Sequence, residues 1–266
     1  MTPSPQQPIG IFDSGVGGLS IAAALHTLLP LEALVYFGDR ANFPYGSRSE
    51  DEVRALACAA TERLLAEGAK LIVVACNTAS SGALATLRAR YDVPFVGVVP
   101  GVKPATASTQ NRKVAVLATD GTFQTRVFDE LVQQFAEGVE VHRQVCPDLV
   151  ALVEHGEVAT DHTVALLRRY VEPLVAAGYD TLVLGCTHYA FLRAGIQQVA
   201  GPGITVIDTA PAIAQQVQRV LSAASLLNPG PAAGTVRILT SGQREAYMAV
   251  AAALWPEGAQ PAVASA

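Results

Sequence analysis

Two stretches of the chain read almost alike: Leu71-Ile-Val-Val-Ala-Cys76-Asn-Thr78 and Thr181-Leu-Val-Leu-Gly-Cys186-Thr-His188. Each is a short apolar run that closes on a small residue, a cysteine and a polar residue. A continuous apolar run of that length, followed by a helical pattern, reads as a buried strand of a parallel sheet. The two cysteines stand 110 residues apart. The run Phe95–Val98 is echoed by Thr205–Asp208 at the same offset, and Ile11-Phe-Asp-Ser-Gly15 by Leu117-Ala-Thr-Asp-Gly121 at an offset of 106. Three matches at nearly one spacing indicate an internal duplication, each half placing a cysteine directly after a buried strand.

Outward from these runs, strands are expected at Ile9–Phe12, Ala33–Phe37, Leu71–Ala75, Phe95–Val98, Val114–Ala118, Val139–Arg143, Thr181–Leu184 and Thr205–Ile207. Helical patterns fall between most of them: Leu19–Leu29, Ser49–Glu67, Ala79–Tyr91, Thr122–Glu137, Asp161–Ala177, Phe191–Val199 and Ala210–Ser225. Such alternation builds βαβ units. The expected fold is therefore α/β, with two similar parallel-sheet domains related by duplication and the active site in the cleft between them. The expected division is residues 1–98 plus 210–266, carrying Asp13 and Cys76, and residues 99–209, carrying Glu154, Cys186 and His188. Met1–Pro8 and Pro256–Ala266 read as frayed ends.

Composition narrows the function. Of 266 residues, 50% are hydrophobic and 15% charged, enough apolar material to exclude disorder for the bulk of the chain. A net charge of −5 and a pI near 5.5 argue against nucleic acid and anionic membranes as partners. The uncharged run Leu71–Leu87 is interrupted by Asn77, Thr78, Ser80 and Ser81, a poor match to a membrane span. The start MTPSPQQP lacks a signal peptide's basic and apolar regions, so a cytoplasmic protein is expected. Four cysteines without a CxxC pair do not read as a disulfide framework, and Cys186-x-His188 alone is no zinc signature. No metal is expected.

Ligands of parallel α/β sheets gather where strands end and helices begin. Cys76 stands there, and the N–H groups and partial positive charge of the following helix favour a thiolate or a carboxylate. Cys186 has the same context. Cys58, among alanines of a helix, and Cys146, before Pro147, read as packing residues. Gly15-x-Gly17-Gly18 after an apolar strand, with Asp39 further on, competes as a dinucleotide fingerprint, but the third glycine is missing and Asp13-Ser14 occupies the tight turn. No P-loop, HExxH or GxSxG sequence occurs. His26, His142, His155 and His162 read as surface or helix-face residues, which leaves His188 as the histidine beside a candidate nucleophile.

Two thiols, one from each half, can act on a stereocentre from opposite faces, one removing a proton and the other returning one. With only Lys70, Lys103 and Lys113, none in a convincing pocket motif, pyridoxal phosphate is not expected and neither is another cofactor. On Ile11-Phe-Asp-Ser-Gly-Val-Gly-Gly-Leu19, Tyr36-Phe-Gly-Asp39, Phe43-Pro-Tyr-Gly46, Ala75-Cys-Asn-Thr-Ala79, Cys146-Pro-x6-Glu154 and Gly185-Cys-Thr-His-Tyr189, the chain resembles the bacterial glutamate racemase family, over roughly Ile9 to Asp208.

The resemblance implies two α/β domains with the substrate between them and no cofactor, making D-glutamate for peptidoglycan, and hence for cell-wall construction and cell shape. It implies Cys76 and Cys186 as the proton-transfer thiols, Asp13 assisting the first, Glu154 and His188 the second. Asp13, Ser14, Tyr45, Gly46, Asn77, Thr78, Thr187 and His188 would bind the amino acid, with Thr119 and Thr122 near its carboxylates. The one implied partner is the small-molecule substrate, L- or D-glutamate; a homodimer is left open. Asp39-Arg-Ala-Asn42 departs from the family's more frequent Asp-Thr-Ala-Arg. Competing readings are an aspartate or other amino-acid racemase with the same two thiols, and a cysteine hydrolase built on Cys186 and His188.

Overall fold

The computed structural model describes residues 3–255, which fall into two compact units: residues 3–98 with 210–255, and residues 99–209. In the first, strands β1 (Ile9–Asp13), β2 (Leu34–Gly38), β3 (Leu71–Val74), β4 (Phe95–Gly97) and a late β9 (Val236–Thr240) form one all-parallel sheet in the order β4-β3-β1-β2-β9. In the second, β5 (Lys113–Ala118), β6 (Glu140–Val145), β7 (Thr181–Leu184) and β8 (Thr205–Ile207) pair in parallel in the order β6-β5-β7-β8. Apart from β9, both sheets run second-first-third-fourth. Chain direction across the sheet reverses between the first and third strands, and that is where open α/β sheets bind ligands.

Each unit buries its third strand completely: β3 and β7 carry only buried residues. Alanines and leucines of the helix Glu50–Ala66 cover β3 and β1, joined by Ala79, Ala83 and Leu87 of the helix Asn77–Arg90. The helix Glu50–Ala66 starts where Ser49 and Glu52 satisfy each other's backbone N–H groups, a reciprocal cap readable as Ser-x-x-Glu. The equivalence of the units extends to single bonds. Ala75 N–H donates to Phe12 O (2.9 Å) and Gly185 N–H to Leu117 O (2.8 Å), each one residue before the cysteine. Pairing registers align the first strands of the two units at an offset of 105 and the fourth strands at 111, so both flanking echoes read in the sequence slip by one residue while the cysteine echo holds.

Other expectations shift for local reasons. The helix expected at Thr122–Glu137 is two, Asp120–Phe123 and Arg126–Phe135, because the Thr125 hydroxyl takes Thr122 O (2.8 Å) and breaks the ladder. The segment Phe191–Val199 begins earlier as a 3-10 turn, Thr187–Leu192, leading into Arg193–Ala200. Strand β9 and the helices Val102–Ser108, Pro147–Glu154 and Arg244–Leu254 were not expected. Pro3–Pro8 form a turn closed by Gln7 N–H on Ser4 O (3.1 Å), and the Lys70 ammonium binds Pro5 O, so the expected fraying does not hold there. Pro256–Ala266 lie outside the described residues. Among the described residues, no helix is long and apolar enough to cross a membrane.

Candidate functional site

In the first unit the candidate residues collect at the carboxyl ends of β1, β2 and β3. Asp13, almost fully buried, ends β1 and accepts the Ser14 N–H (2.6 Å) and hydroxyl (3.3 Å). Ser14 Oγ in turn lies 4.0 Å from Cys76 Sγ, so a path from Asp13 to the thiol runs through Ser14. A Cβ on Gly18 would come within 2.8 Å of Ala75 Cβ and 3.1 Å of Asp13 Oδ2, which is why the glycine-rich loop can close on the end of β3. Cys76 caps the helix Asn77–Arg90 in extended backbone, and Ser80 secures that first turn by donating to Val74 O (2.8 Å) and accepting Val98 N–H (2.9 Å). Asn77 is buried, and its Oδ1 has no hydrogen-bond partner among the described residues.

Tyr45 and Gly46 lie on a 3-10 turn after β2. Tyr45, buried, donates to Asp39 Oδ2 (2.6 Å). Burial first, then that carboxylate, hold the phenol well above its ordinary pKa, with smaller contributions from Cys76 and Asp13. Tyr45 therefore remains a neutral donor within the field of both groups. Asn42 gives its amide to both Asp39 oxygens (3.1 Å each).

In the second unit Cys186 follows β7. Its Sγ lies 3.7 Å from His188 Nδ1, and His188 Nε2 lies 2.7 Å from Glu154 Oε1. Glu154, at the end of the helix Pro147–Glu154, and His188 are both buried. The carboxylate favours the tautomer with its proton on Nε2, leaving the Nδ1 lone pair toward the thiol. Such an imidazole can take the thiol proton, and the imidazolium would be stabilised by Glu154. Thr187, also buried, sits between cysteine and histidine at the start of the 3-10 turn. Thr119 caps the short helix after β5, its hydroxyl 3.2 Å from that of buried Thr122. Cys146 is fully buried; burial, then the nearby Cys186, raise its thiol pKa and keep it protonated.

Asp13, Ser14, Cys76, Asn77, Cys186, Thr187 and His188 thus stand at or just after a strand of their own unit, whereas Tyr45 and Gly46 lie on a later turn and Glu154 ends a helix. Sequence reading missed Asp39 as a hub and Tyr189, whose hydroxyl donates to Cys146 O (2.7 Å) and whose burial raises its pKa. The position of Asp39, ending the strand beside β1, was the available signal. His142, His155 and His162 are exposed as expected, whereas His26 is half-buried, its ring 6.2 Å from that of Trp255. Among the described residues no group of three or more acidic, cysteine or histidine side chains could hold a metal ion.

Each of two like-folded parallel sheets thus carries a thiol at its switch point, one of them backed by imidazole and carboxylate. Residues 19–217 match the family described as Asp/Glu/Hydantoin racemase. The chain is 50% identical to a glutamate racemase of Herpetosiphon aurantiacus, covering 89% of this chain and 93% of that protein. Among solved structures it is similar to a glutamate racemase isoform from Bacillus anthracis (TM-score 0.88, 32% identity, 98% of both chains). It is also similar to the Thermus thermophilus glutamate racemase in complex with β-chloro-D-alanine (TM-score 0.82, 40% identity, 98% of both chains). The chain belongs to the Asp/Glu/hydantoin racemase family, and is an isomerase.

Proposed function

We propose that the protein interconverts L- and D-glutamate without a cofactor, Cys76 and Cys186 carrying protons to and from opposite faces of the α-carbon. The observation that carries this reading is the repetition: a cysteine follows the third strand of each unit, one residue after an equivalent backbone bond. One thiolate removes the α-proton and becomes a thiol, while the other thiol delivers its proton to the opposite face and becomes a thiolate. The reverse direction exchanges the roles. His188, held by Glu154, sets the protonation of Cys186 through Nδ1; Asp13, with Ser14, does the same for Cys76.

Asn77 Oδ1, buried and without a hydrogen-bond partner among the described residues, suits the substrate ammonium. Tyr45, Gly46, Thr78, Thr187, Thr119 and Thr122 supply donors for two carboxylates, and the helix beginning at Asn77 adds its partial positive charge. Glutamate is favoured over aspartate because the relatives compared above are named glutamate racemases. The product, D-glutamate, would serve peptidoglycan synthesis in the cytoplasm.

The order thiol, imidazole, carboxylate in the second unit also suits a cysteine hydrolase, but that reading leaves Cys76 without a role. Polarimetry of the purified protein with L-glutamate, beside L-aspartate and with no pyridoxal phosphate, separates these readings. Decay of rotation with L-glutamate alone is expected; activity on aspartate alone overturns the substrate, and silence on both overturns the racemase reading. Cys76→Ser and Cys186→Ser should each lose on the order of 100-fold or more in turnover, as expected when an acid–base group is removed. A Cys76→Ser variant with wild-type turnover refutes the two-thiol mechanism.

A further inference from the structure

The site of the first unit is braced from a part of the chain that carries no motif. Strand β9 and the helix Arg244–Leu254 fall outside residues 19–217, the stretch that matches the family. Tyr247 of that helix is buried and donates its hydroxyl to Gly15 O (3.0 Å), the carbonyl that also takes the Tyr36 hydroxyl (2.7 Å). Gly15 directly follows Asp13-Ser14. A Cβ on residue 38 would stand 2.0 Å from Tyr247 Oη and 2.9 Å from Gly15 O, so Gly38 is a glycine where the phenol passes the end of β2. Ser241, in the turn after β9, donates to Asp39 Oδ1 (2.6 Å) and accepts Ala41 N–H (3.0 Å). The other oxygen of Asp39 holds the Tyr45 hydroxyl at 2.6 Å. One strand–turn–helix segment thereby grips both loops that face Cys76, the one after β1 and the one after β2.

We propose that Ser241 and Tyr247 are positioning residues of the first thiol's site. Tyr247 sets where Asp13 and Ser14 stand against Cys76, and Ser241, through Asp39, sets the Tyr45 hydroxyl. The inference rests on the racemase reading above. Neither side chain needs to touch substrate, because a misplacement of about 1 Å in the reacting groups is enough to slow a reaction greatly. Removing either donor leaves its acceptor paired: Gly15 O keeps Tyr36, and Asp39 keeps Asn42 and Tyr45. The variants should accordingly fold, and what they lose is aim.

The two thiols make the test asymmetric. With α-deuterated glutamate, each enantiomer reports the proton-removal step of a different thiol. Tyr247→Phe is expected to lower kcat/KM about fivefold, the worth of one neutral hydrogen bond. It should raise the primary isotope effect for one enantiomer and lower it for the other, because only the step at Cys76 has slowed. Ser241→Ala is expected to raise KM about tenfold, as loss of a bond to a carboxylate does, and Ser241→Thr to restore it. Lower activity with KM and both isotope effects unchanged, in proportion to the folded fraction in a thermal melt, would mean a structural role only and overturn the proposal. Wild-type activity in both variants also overturns it. A wild-type protein that racemises neither enantiomer removes the parent reading instead, which separates the two failures.

Discussion

Replacing Glu154 by glutamine probes the second thiol's apparatus without removing a group that touches the substrate. The 2.7 Å bond between Glu154 Oε1 and His188 Nε2 is buried and charge-assisted whenever His188 carries a second proton. Such bonds contribute about 1.5–3 kcal/mol, and at about 1.4 kcal/mol per factor of ten that is roughly 10- to 100-fold in the population of the thiolate–imidazolium pair. Glutamine keeps the shape, but when its amide points a donor at Nε2 it favours the opposite tautomer and turns an N–H toward Cys186. The expected result is a fall in kcat of that size with KM changed less than about threefold, since a bond that strengthens only when His188 becomes charged contributes little to ground-state binding. The assay is circular-dichroism progress curves from L- and from D-glutamate, on protein whose fold is checked by its far-ultraviolet spectrum. Because Glu154 acts through His188, Glu154→Gln in a His188→Asn background should cost almost nothing more. Additive losses, or a fall in kcat below about threefold, would refute the relay from carboxylate through imidazole to thiol.

Lys70 and Glu32 form a buried ion pair at 2.5 Å, and Glu32 also accepts Asn228 N–H (2.8 Å). Lys70→Met leaves a buried carboxylate with that single partner, so urea unfolding should show a loss of about 3 kcal/mol, largely recovered by adding Glu32→Leu; a double variant no better than the single one would contradict this. Burial pushes the Asp180 carboxyl up, but the Thr109 hydroxyl, the Asn111 and Gln110 N–H groups and the Thr181 hydroxyl bring it net below its ordinary value of 3.8. A lowered folded-state pKa stabilises at pH above 3.8 and ceases to as pH falls through the folded value. Asp180→Ala should therefore be less stable than wild type in urea at pH 7, with a gap that narrows below pH 3.8; a gap independent of pH would assign it to lost packing.

The legible part of this chain is the part governed by local chemistry. Apolar runs that lead into Cys76 and Cys186 specify buried parallel strands with polar helix starts, and the strands expected around them fill four places in each sheet, although β6 (Glu140–Val145) is largely exposed. Strand β9 was hidden because Val236-Arg-Ile-Leu-Thr240 follows a Pro- and Gly-rich stretch and carries a charge, half-exposed at the sheet edge, where an inner strand would be apolar. The helix Pro147–Glu154 has proline at its first position, a helix-start signal, although Cys146 before it reads as a packing residue. Exact register was not readable either, and a slip of one residue in the flanking echoes is what apolar runs without a phase marker allow.

The same division holds within the candidate site. Cys76, Asn77, Cys186 and His188 sit within a few residues of a strand end, so spacing alone places them. Ser241 and Tyr247 reach Asp39, Ala41 and Gly15 across 200 to 232 residues of chain, Tyr247 on a backbone carbonyl and Ser241 partly on a backbone N–H, and such partners leave no trace in side-chain spacing. Gly38 was part of a readable motif, yet its reason lies in a tyrosine more than two hundred positions later. In the proposed mechanism motif residues carry the chemistry, whereas the residues proposed to aim them are placed by topology. In the first unit β9 beside β2 brings Ser241 and Tyr247 to the two loops around Cys76. Among the described residues the second sheet has four strands, and there His188 stands against the thiol with Glu154 behind it. In the proposed mechanism two thiols in equivalent places are supported by unlike means, so a perturbation confined to one unit should show up as a difference between the two directions of proton removal.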